Sequence, residues 1–340
     1  MSLGYFPQYT KRFYYQRGGS EVYKLPANNL FSAVNLLLQL QVNIVTNPGS
    51  NVPDNQIFRA IERLELIRDT KTTVWSISGE KLQAIFGTQY GNGAVAPENA
   101  TIPGTVANDV RGQHYAHIPA WPLGTLKPND FAIDTRRHDY ELKIKWRDLT
   151  VAGTLFGTLG GTITVVDSEN YLELELDTIE PQVNPATGMP DGLAKTVPLV
   201  VGIREENLTV DSSNTKFQID IPEFMKFRNI ILFTDHAANT AQIVGENDII
   251  QNMVKLYDTQ QKTYQSMRAD MLRAKTGRRW GRGASIPNGM YDIHMAAFGS
   301  AFDALASSNV RDLYLDLDVV KQANATYIVP VYVTQEDQGV

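Results

Sequence analysis

Histidines are the side chains of this sequence best suited to bind a metal, and three of the five lie in one region. His114 and His117 are three positions apart, and His138 follows them. A metal site needs several ligands that converge on one point. Because these histidines fall in a proline-rich stretch with no predicted helix to align them, ordinary loop histidines are favoured. We expect no metal and no cofactor.

Two glutamates could form the carboxylate pair of a sugar hydrolase. Glu173 and Glu175 share one face of a predicted strand, about 7 Å apart. Alternating acidic residues are also the usual pattern of a solvated strand face, and Asp316 and Asp318 repeat it. The solvated face is favoured, and a hydrolase remains the alternative.

Other catalytic signatures are missing from the sequence. The run Gly153, Gly157, Gly160 and Gly161 lacks the Lys and Ser/Thr of a phosphate-binding loop, and a strand follows it instead of a helix. There is no G-x-S-x-G motif. The absence of cysteine excludes thiol nucleophiles, disulfides and zinc–thiolate sites. The chain is therefore not expected to be an enzyme.

The composition is that of a globular protein with two domains. A length of 340 residues is too great for one ordinary core, and 43% hydrophobic with 20% charged residues is a globular balance. The net charge of −6 argues against a specific nucleic-acid site. The N-terminus lacks the apolar core of a secretory signal, and no apolar run reaches the ~20 residues of a membrane span. The lack of cysteine suits a reducing cytoplasm.

A strand–turn–strand–helix unit occurs in the first half of the chain. Leu64 to Arg68 and Thr72 to Ile77 are predicted strands, and a short helix follows. Ser78 is its predicted N-cap, and Gly87 is placed to end it.

The second half repeats this unit. Its predicted elements are strands over Met253 to Tyr257 and Lys262 to Ser266, then a helix over Met267 to Lys275 that Gly277 ends. Asp69-Thr70 aligns with Asp258-Thr259, and Trp75 aligns with Tyr264. After one inserted residue, Leu82, Ala84 and Gly87 align with Leu272, Ala274 and Gly277. The duplication indicates one structural unit built twice.

Further strands are predicted on both sides of these units, several with strict polar–apolar alternation. They cover Val22 to Leu25, Leu36 to Thr46, Asp139 to Asp148, Thr162 to Val166, Tyr171 to Leu176, Leu199 to Glu205, Lys216 to Ile221, Asn229 to Thr234, Arg311 to Val319 and Tyr327 to Val333. A third short helix is predicted over Ala297 to Ala306. The pattern indicates an all-β fold with a few short helices, organised as two tandem antiparallel eight-stranded jelly-roll β-sandwiches.

The predicted domain organisation follows from this order. Residues 1–20 form an N-terminal arm, and residues 21–180 the first jelly roll with a long loop at 87–128. Residues 181–198 are a linker rich in proline, and residues 199–340 form the second jelly roll. A loop as long as 87–128 is usually functional or covered by a partner.

Two basic segments are candidate interaction sites. The N-terminal arm carries Lys11, Arg12, Tyr14, Tyr15 and Arg17. It is either a packed or frayed terminus, or an arm that docks on a neighbouring subunit or a lipid surface.

The second candidate is a basic loop made of Arg278, Arg279, Trp280 and Arg282. It could contact a phosphate backbone. Because the whole chain is acidic, a solvated loop or a subunit contact is favoured.

These features together resemble the double jelly-roll major capsid proteins of tailless icosahedral viruses, such as membrane-containing bacteriophages, with the adenovirus hexon a larger relative. The resemblance is carried by LPANNLFSAVNLLLQLQVNI, IERLELIRD, TTVWSISGEKLQAIFG and its counterpart at Met253 to Gly277, and the closing LYLDLDVVKQANATYIVPVYV.

The resemblance implies a major capsid protein that forms homotrimers of pseudo-hexagonal outline, which tile an icosahedral shell. Its partners would be copies of itself, minor capsid or vertex proteins, and in some members an internal viral membrane that the N-terminal segment contacts. It implies a place in the virion after assembly in the host cytoplasm. The long loops at Gly87 to Pro128 and Arg278 to Pro287 would form towers and trimer seams.

Two alternatives remain open. One is a β-sandwich protein of a phage appendage that binds or hydrolyses carbohydrate with Trp121, Trp146 or the Glu173/Glu175 face. The other is a minor shell or vertex protein of the same fold.

Overall fold

The computed structural model describes residues 5–44, 58–90, 109–120, 131–151, 154–155, 163–179, 198–223, 225–239, 242–279, 286–295, 305–306 and 312–338. The chain divides into two compact units. One is Met1–Gly202 together with Glu336–Val340, and the other is Ile203–Gln335.

The first unit contains ten strands and one α-helix within the described residues. They are β1 (Tyr5–Tyr14), β2 (Ser20–Lys24), β3 (Leu30–Ile44), β4 (Ile61–Arg68), β5 (Thr72–Ile77), α1 (Gly79–Tyr90), β6 (Asp109–Pro119), β7 (Ile133–Asp134), β8 (Tyr140–Trp146), β9 (Ile163–Val165) and β10 (Tyr171–Ile179). The strand β11 (Leu199–Glu205) includes the point where the chain passes into the second unit.

The second unit repeats the pattern. Its elements are β12 (Leu208–Val210), β13 (Asn214–Asp220), β14 (Lys226–Asn239), β15 (Gln242–Gly245), β16 (Ile250–Asp258), β17 (Thr263–Arg268), α2 (Ala269–Arg279), β18 (Met290–His294), β19 (Leu305–Ala306), β20 (Leu313–Val319) and β21 (Thr326–Asp337). The last strand returns the chain to the first unit at Glu336.

Each unit contains two sets of four neighbouring antiparallel strands. In the first unit the orders are β1-β10-β3-β6 and β2-β8-β4-β5. In the second unit they are β12-β21-β14-β18 and β13-β20-β16-β17. Each strand in the two sets of the first unit has a counterpart at the same place in the two sets of the second unit, and the counterparts follow one another in the same order along the chain. A helix follows β5, and a helix likewise follows β17. Two four-stranded sheets connected in this order form a jelly roll, so the predicted all-β fold of two tandem jelly rolls is confirmed.

Alternation along the strands builds the cores. In β8 the side chains of Tyr140, Leu142, Ile144 and Trp146 are fully buried, and the intervening residues are not. Each fully buried apolar side chain of this size stabilises the fold by roughly 1.5–3 kcal/mol. The second unit has an equivalent core of side chains from both of its sheets and from α2, among them Leu232, Leu256, Leu272, Ile293 and Leu315.

The hairpin turns of the two copies differ in detail. In the first unit Asp69 and Thr70 both have positive φ, 51° and 57°, and the N–H of Lys71 donates to the carbonyl of Arg68 at 3.1 Å. Positive φ at both central residues defines a turn whose twist matches that of the flanking strands. In the second unit positive φ falls on Gln261 instead.

Ser78 is confirmed as the N-cap position of α1, because its carbonyl accepts the first helical hydrogen bond from the N–H of Leu82 at 3.0 Å. The prediction that Gly87 and Gly277 end their helices is wrong, since α1 continues to Tyr90 and α2 to Arg279. A glycine costs a helix only about 1 kcal/mol relative to alanine.

Tertiary contacts explain why α2 continues past Gly277. The Oγ1 of Thr276 accepts a hydrogen bond from the backbone N–H of Asp292 on β18, at 2.9 Å. Arg279, the last residue of the helix, donates from Nη1 to Oδ2 of the same Asp292 at 3.0 Å. These contacts fix the final turn to the sheet.

The predicted long loop at 87–128 is wrong over its middle. Residues Asp109–Pro119 form β6, which pairs with β3 along its whole length. The inward positions of β6 include Gly112, His114 and Ala116. Small and polar residues at inward positions carry no hydrophobic alternation, so the sequence pattern did not indicate a strand. Residues 91–108 and 121–130 lie outside the described part of the chain.

The predicted helix over Ala297 to Ala306 is wrong at its end. Leu305 and Ala306 form the short strand β19, which pairs with Lys226 and Phe227 of β14. Pairing with β14 overrides the helix propensity of Leu305 and Ala306. Residues 297–304 lie outside the described residues.

Candidate interaction surfaces

The N-terminal segment is a strand of the first jelly roll from Tyr5 onward, where the sequence predicted a separate arm. β1 pairs with β10 from Tyr5 opposite Ile179 to Tyr14 opposite Tyr171. The inward ring of Phe13 lies 6.1 Å from that of Tyr23 on β2. Backbone pairing with β10 along its length makes this stretch a strand of the sheet.

Its basic residues bind acidic residues of the same unit. The Nζ of Lys11 lies 3.0 Å from Glu21, and the Nε of Arg12 lies 3.3 Å from Glu173. The Nε of Arg17 donates to Asp148 at 2.7 Å. These are exposed ion pairs, whose attraction is weakened by solvent and salt.

The two tyrosines of the segment have different environments. Tyr15 is buried, its hydroxyl oxygen accepts from the N–H of Leu149 at 3.0 Å, and its ring meets Trp146 edge-on at 5.7 Å. Tyr14 is 48% exposed and contacts the ring of Tyr171 at 6.2 Å. Arg12 and Arg17 are exposed as well, with 50% and 65% of their side chains accessible. Tyr14 is the exposed aromatic residue of the five, and Tyr15 is a core residue.

The outward face of the sheet β1-β10-β3-β6 is polar and closely hydrogen-bonded. The Oδ1 of Asn35 lies 2.7 Å from both the hydroxyl of Tyr115 and the Nδ1 of His117. The Oε1 of Gln39 accepts from Gln113 at 2.7 Å and from the hydroxyl of Tyr171 at 3.0 Å.

Partial burial shifts the pKa values of ionisable side chains on this face. Burial lowers the pKa of His117 and raises the pKa of Tyr115. Burial, with the neighbouring charges of Asp177 and Glu173, also raises the pKa of Glu175.

The three histidines do not form a common site. His114 and His117 both lie on β6, and side chains three positions apart on a strand point to opposite faces. His114 is fully buried, and His117 lies on the outward face with Asn35. His138 lies elsewhere, between Asp69 and the backbone of Gln338. Across the described residues no group of three or more His, Asp or Glu side chains is arranged to hold a metal ion.

The residues suggested for sugar chemistry are also separated. Glu173 and Glu175 both lie on the outward face of β10, and Glu173 is bound by Arg12. Trp146 is fully buried, so its ring is not accessible to a sugar. Trp121 lies outside the described residues.

The predicted basic loop is wrong for Arg278 and Arg279, which form the last turn of α2. Arg279 donates to Asp292, whose carboxylate also accepts from the Nδ2 of Asn229 at 2.8 Å. Burial raises the pKa of Asp292, although Arg279 and Asn229 oppose this shift. Arg278 is exposed, and Trp280 and Arg282 lie outside the described residues. The sequence did not indicate Asp292 as the partner, because it lies on a strand that the pattern did not predict.

No helix among the described residues is long and apolar enough to cross a membrane.

Solved structures match this architecture over nearly the whole chain. The major capsid protein of Sulfolobus Turreted Icosahedral Virus gives a TM-score of 0.68 at 11% identity, over 96% of each chain. That of Faustovirus gives 0.63 at 10% identity, over 99% of this chain and 90% of the other. This chain has the double jelly-roll fold. The major capsid protein of bacteriophage PM2 shares the double jelly roll with a TM-score of 0.56 at 10% identity, over 97% and 99% of the two chains.

The predicted resemblance to double jelly-roll capsid proteins is therefore confirmed at the level of the fold. No protein-family model matches the chain, and no curated protein matches it by sequence. The sequence identity to these capsid proteins is only 10–11%. At that level two chains share a fold although their sequences no longer match.

Proposed function

We propose that this protein is a major capsid protein, whose two jelly rolls form a structural subunit of a viral shell. The observation that carries the proposal is the complete duplication of the roll, with the fold shared over 96% of both this chain and a viral capsid protein. A shell subunit needs a rigid body and repeated weak contacts with copies of itself. It needs no catalytic centre.

The finer proposal is that three chains form a pseudo-hexagonal capsomer, and that capsomers tile an icosahedral shell in the virion. Two similar rolls in one chain give a trimer six similar bodies, which is why a trimer could occupy a six-fold lattice position. Minor capsid proteins and an internal membrane are further proposed partners. Assembly in the host cytoplasm agrees with the absence of cysteine.

Tyr14 is the proposed contact residue of the N-terminal segment, since its aromatic ring is 48% exposed. Tyrosine is enriched in protein interfaces, where its ring adds apolar area at low entropic cost. Arg278 and the residues that follow it remain proposed as a subunit contact.

The test is the native mass of the purified protein by light scattering over a concentration series, followed by electron microscopy of the assembled species. We expect trimers, and pseudo-hexagonal particles at high concentration. Tyr14→Ala should shift the series toward monomer, whereas Val151→Ala, at another exposed apolar residue, should not. A monomer at all concentrations would contradict the capsid proposal.

A further inference from the structure

Strand β10 carries three carboxylates along the outward face of the first jelly roll. Glu173, Glu175 and Asp177 are half-buried and alternate with fully buried leucines, so the three acidic side chains point to the same side of the sheet. Arg12 lies 3.3 Å from Glu173. Within the described part of the chain no cation is bound to Glu175 or Asp177, and burial together with the neighbouring charges raises the pKa of Glu175. This end of the face therefore keeps a negative charge that the described residues do not neutralise.

Arg12 shows how this face binds a guanidinium group. Its Nε lies 3.3 Å from Glu173, and its guanidinium carbon lies 4.7 Å from the centroid of the Tyr171 ring. A carboxylate and a tyrosine ring therefore hold the group together, by charge and by cation–π attraction. The ring of Tyr14 lies 6.2 Å from that of Tyr171 and continues the aromatic surface to the edge strand β1.

A second combination of carboxylates and a tyrosine lies beside the first. In the strand register Asn35 of β3 lies between Glu175 of β10 and His117 of β6. Tyr115 of β6 donates its hydroxyl to Oδ1 of Asn35 at 2.7 Å, and burial followed by the charges of Asp177 and Glu175 raises its pKa. Burial lowers the pKa of His117, so its ring supplies no positive charge at neutral pH. Tyr115, Glu175 and Asp177, which we call the acidic face, thus offer the kinds of group that hold Arg12 nearby.

The exposed side of α2, in the second unit, carries the complementary charge. Met271, Lys275 and Arg278 are exposed, and their spacings of four and three residues place them on one side of the helix. Among the described residues no acidic side chain is bound to Lys275 or Arg278, because the nearby Asp270 is bound by Arg268 at 2.9 Å. The helix therefore presents two cations beside a flexible apolar side chain.

Each of these surfaces repels a copy of itself and attracts the other. An interface in which two acidic faces or two basic helices meet would bring like charges together, which costs affinity. A contact between the acidic face of one copy and α2 of the next joins two different patches, and such head-to-tail contacts can close into rings. A trimer is a ring of this kind.

We propose that α2 of one copy docks on the acidic face of the next copy, where Lys275 and Arg278 bind Glu175 and Asp177 beside the ring of Tyr115. The inference rests on the proposed trimer and names the two surfaces that meet in it. The ion pairs give the contact its orientation, since only the opposite charges can be brought together.

Two exposed apolar side chains belong to the same contact. Tyr14, on the edge strand beside the acidic face, is 48% exposed, and Met271, on the docking side of α2, is 55% exposed. Methionine adapts to irregular surfaces, and its sulfur makes favourable contacts with aromatic rings. Burial of these two side chains adds an apolar component that exposed ion pairs lack.

Charge reversal tests the contact on the full chain. Lys275→Glu with Arg278→Glu should raise the dissociation constant of the trimer about tenfold or more, because like charges then face each other. Glu175→Lys with Asp177→Lys should have the same effect. All four substitutions in one chain reverse both surfaces and should restore the trimer. Light scattering over a concentration series measures each dissociation constant.

The matched control reverses two exposed lysines elsewhere. Lys71 lies in the turn between β4 and β5, and Lys321 follows β20. Lys71→Glu with Lys321→Glu changes the net charge as much as the reversal on α2 does, and it should leave the dissociation constant unchanged. Circular dichroism and the urea unfolding of the dissociated chain should match the parent in every variant, since neither surface is part of a core. Equal loss of the trimer in the control would show a general effect of charge and overturn the contact.

Chemical cross-linking tests the parent without any substitution. A carbodiimide condenses a lysine amine with a nearby carboxylate into an amide, and the carboxylate oxygen leaves on the urea that forms. Mixing of isotopically light and heavy chains identifies the links that join different copies. We expect mass spectrometry of peptides to find links between copies from Lys275 to Glu175 or Asp177. A trimer without these links would overturn the contact.

The outcomes separate this contact from the capsid proposal. A parent that forms trimers unaffected by either reversal, or not restored by all four substitutions, would refute the contact and leave the capsid proposal standing. A parent that stays monomeric at all concentrations would overturn both.

Discussion

Arg279 and Asp292 form a 3.0 Å ion pair that joins the last residue of α2 to the middle of β18, and the carboxylate of the pair is completely buried. A buried carboxylate that loses its partner is strongly destabilising. The side chain of Arg279 is 37% exposed, so solvent weakens the pair.

We predict that Arg279→Ala lowers the free energy of unfolding by about 1–3 kcal/mol, because Asp292 keeps its burial but loses its counter-charge. Urea denaturation measures the change. The matched control is Arg278→Ala, at the exposed neighbouring position, which should stay within about 0.5 kcal/mol of the parent. Equal effects of the two substitutions would show that the pair contributes nothing.

The same pair predicts a pH dependence. The pKa of Asp292 is raised in the folded state, so the native protein binds more protons than the unfolded chain, and stability falls as the pH rises through the interval between the two pKa values. Removing Arg279 raises the native pKa further. Urea denaturation should therefore show a larger destabilisation by Arg279→Ala at pH 7.5 than at pH 5. When Asp292→Asn is also present, the destabilisation by Arg279→Ala should be the same at both pH values.

Glu175 offers a second pH-linked test, on the outward face of the first roll. Its pKa is raised by burial and by the charges of Asp177 and Glu173, so its ionisation destabilises the folded state. We predict that Glu175→Gln stabilises the protein by about 0.5 kcal/mol at pH 7 and has no effect below the unfolded pKa. Glu173→Gln, which removes the partner of Arg12, should not stabilise. Thermal unfolding at several pH values distinguishes the two.

Trp75 and Tyr264 occupy equivalent strands of the two copies, and both use their polar atoms. The Nε1 of Trp75 donates to the buried carbonyl of Val201 at 2.8 Å, and the hydroxyl of Tyr264 donates to Asp258 at 3.0 Å. We predict that Trp75→Phe costs about 2–4 kcal/mol, since it leaves a buried carbonyl unpaired and reduces the ring volume. Tyr264→Phe should cost about 1 kcal/mol, because its site is only half-buried. Chemical denaturation measures the free energy of unfolding of both variants. Equal losses in Trp75→Phe and Tyr264→Phe would contradict this prediction.

Gly79 begins α1 at a point where the chain leaves no room for a side chain. A Cβ there would lie 2.0 Å from the carbonyl oxygen of Phe58 and 2.9 Å from the Cβ of Ile61. We predict that Gly79→Ala destabilises by about 2 kcal/mol or more, although alanine has the higher helix propensity by about 1 kcal/mol. The equivalent residue of the second copy is Ala269, where alanine is already accommodated. Ala269→Gly should cost about 1 kcal/mol, as calorimetry can show.

The alternation of polar and apolar residues along the strands was enough to predict the fold class, and it showed that the two halves of the chain repeat one unit. Strict alternation in β8 placed Tyr140 and Trp146 in the core, and the bounds of β5 and β11 were predicted without error. These stretches succeed because a half-buried strand imposes a period of two on its own sequence. The fold, being a repeated pattern of such strands, could be inferred before any contact was known.

The tertiary structure decided what the pattern left unmarked. β6 carries Gly112 and His114 inward and became a strand only through its pairing with β3. α2 runs past Gly277 because Arg279 reaches Asp292.

The residues of the candidate surfaces depended most on long-range contacts. His138 and Gln338 are separated by 200 positions, and no local signal relates them. Periodicity reports which face of an element is buried, so the sequence determined the two jelly rolls. Partners far apart along the chain meet only when the strands between them are placed, so the ion pairs and the hydrogen bonds of the buried Gln338 were decided by the tertiary structure.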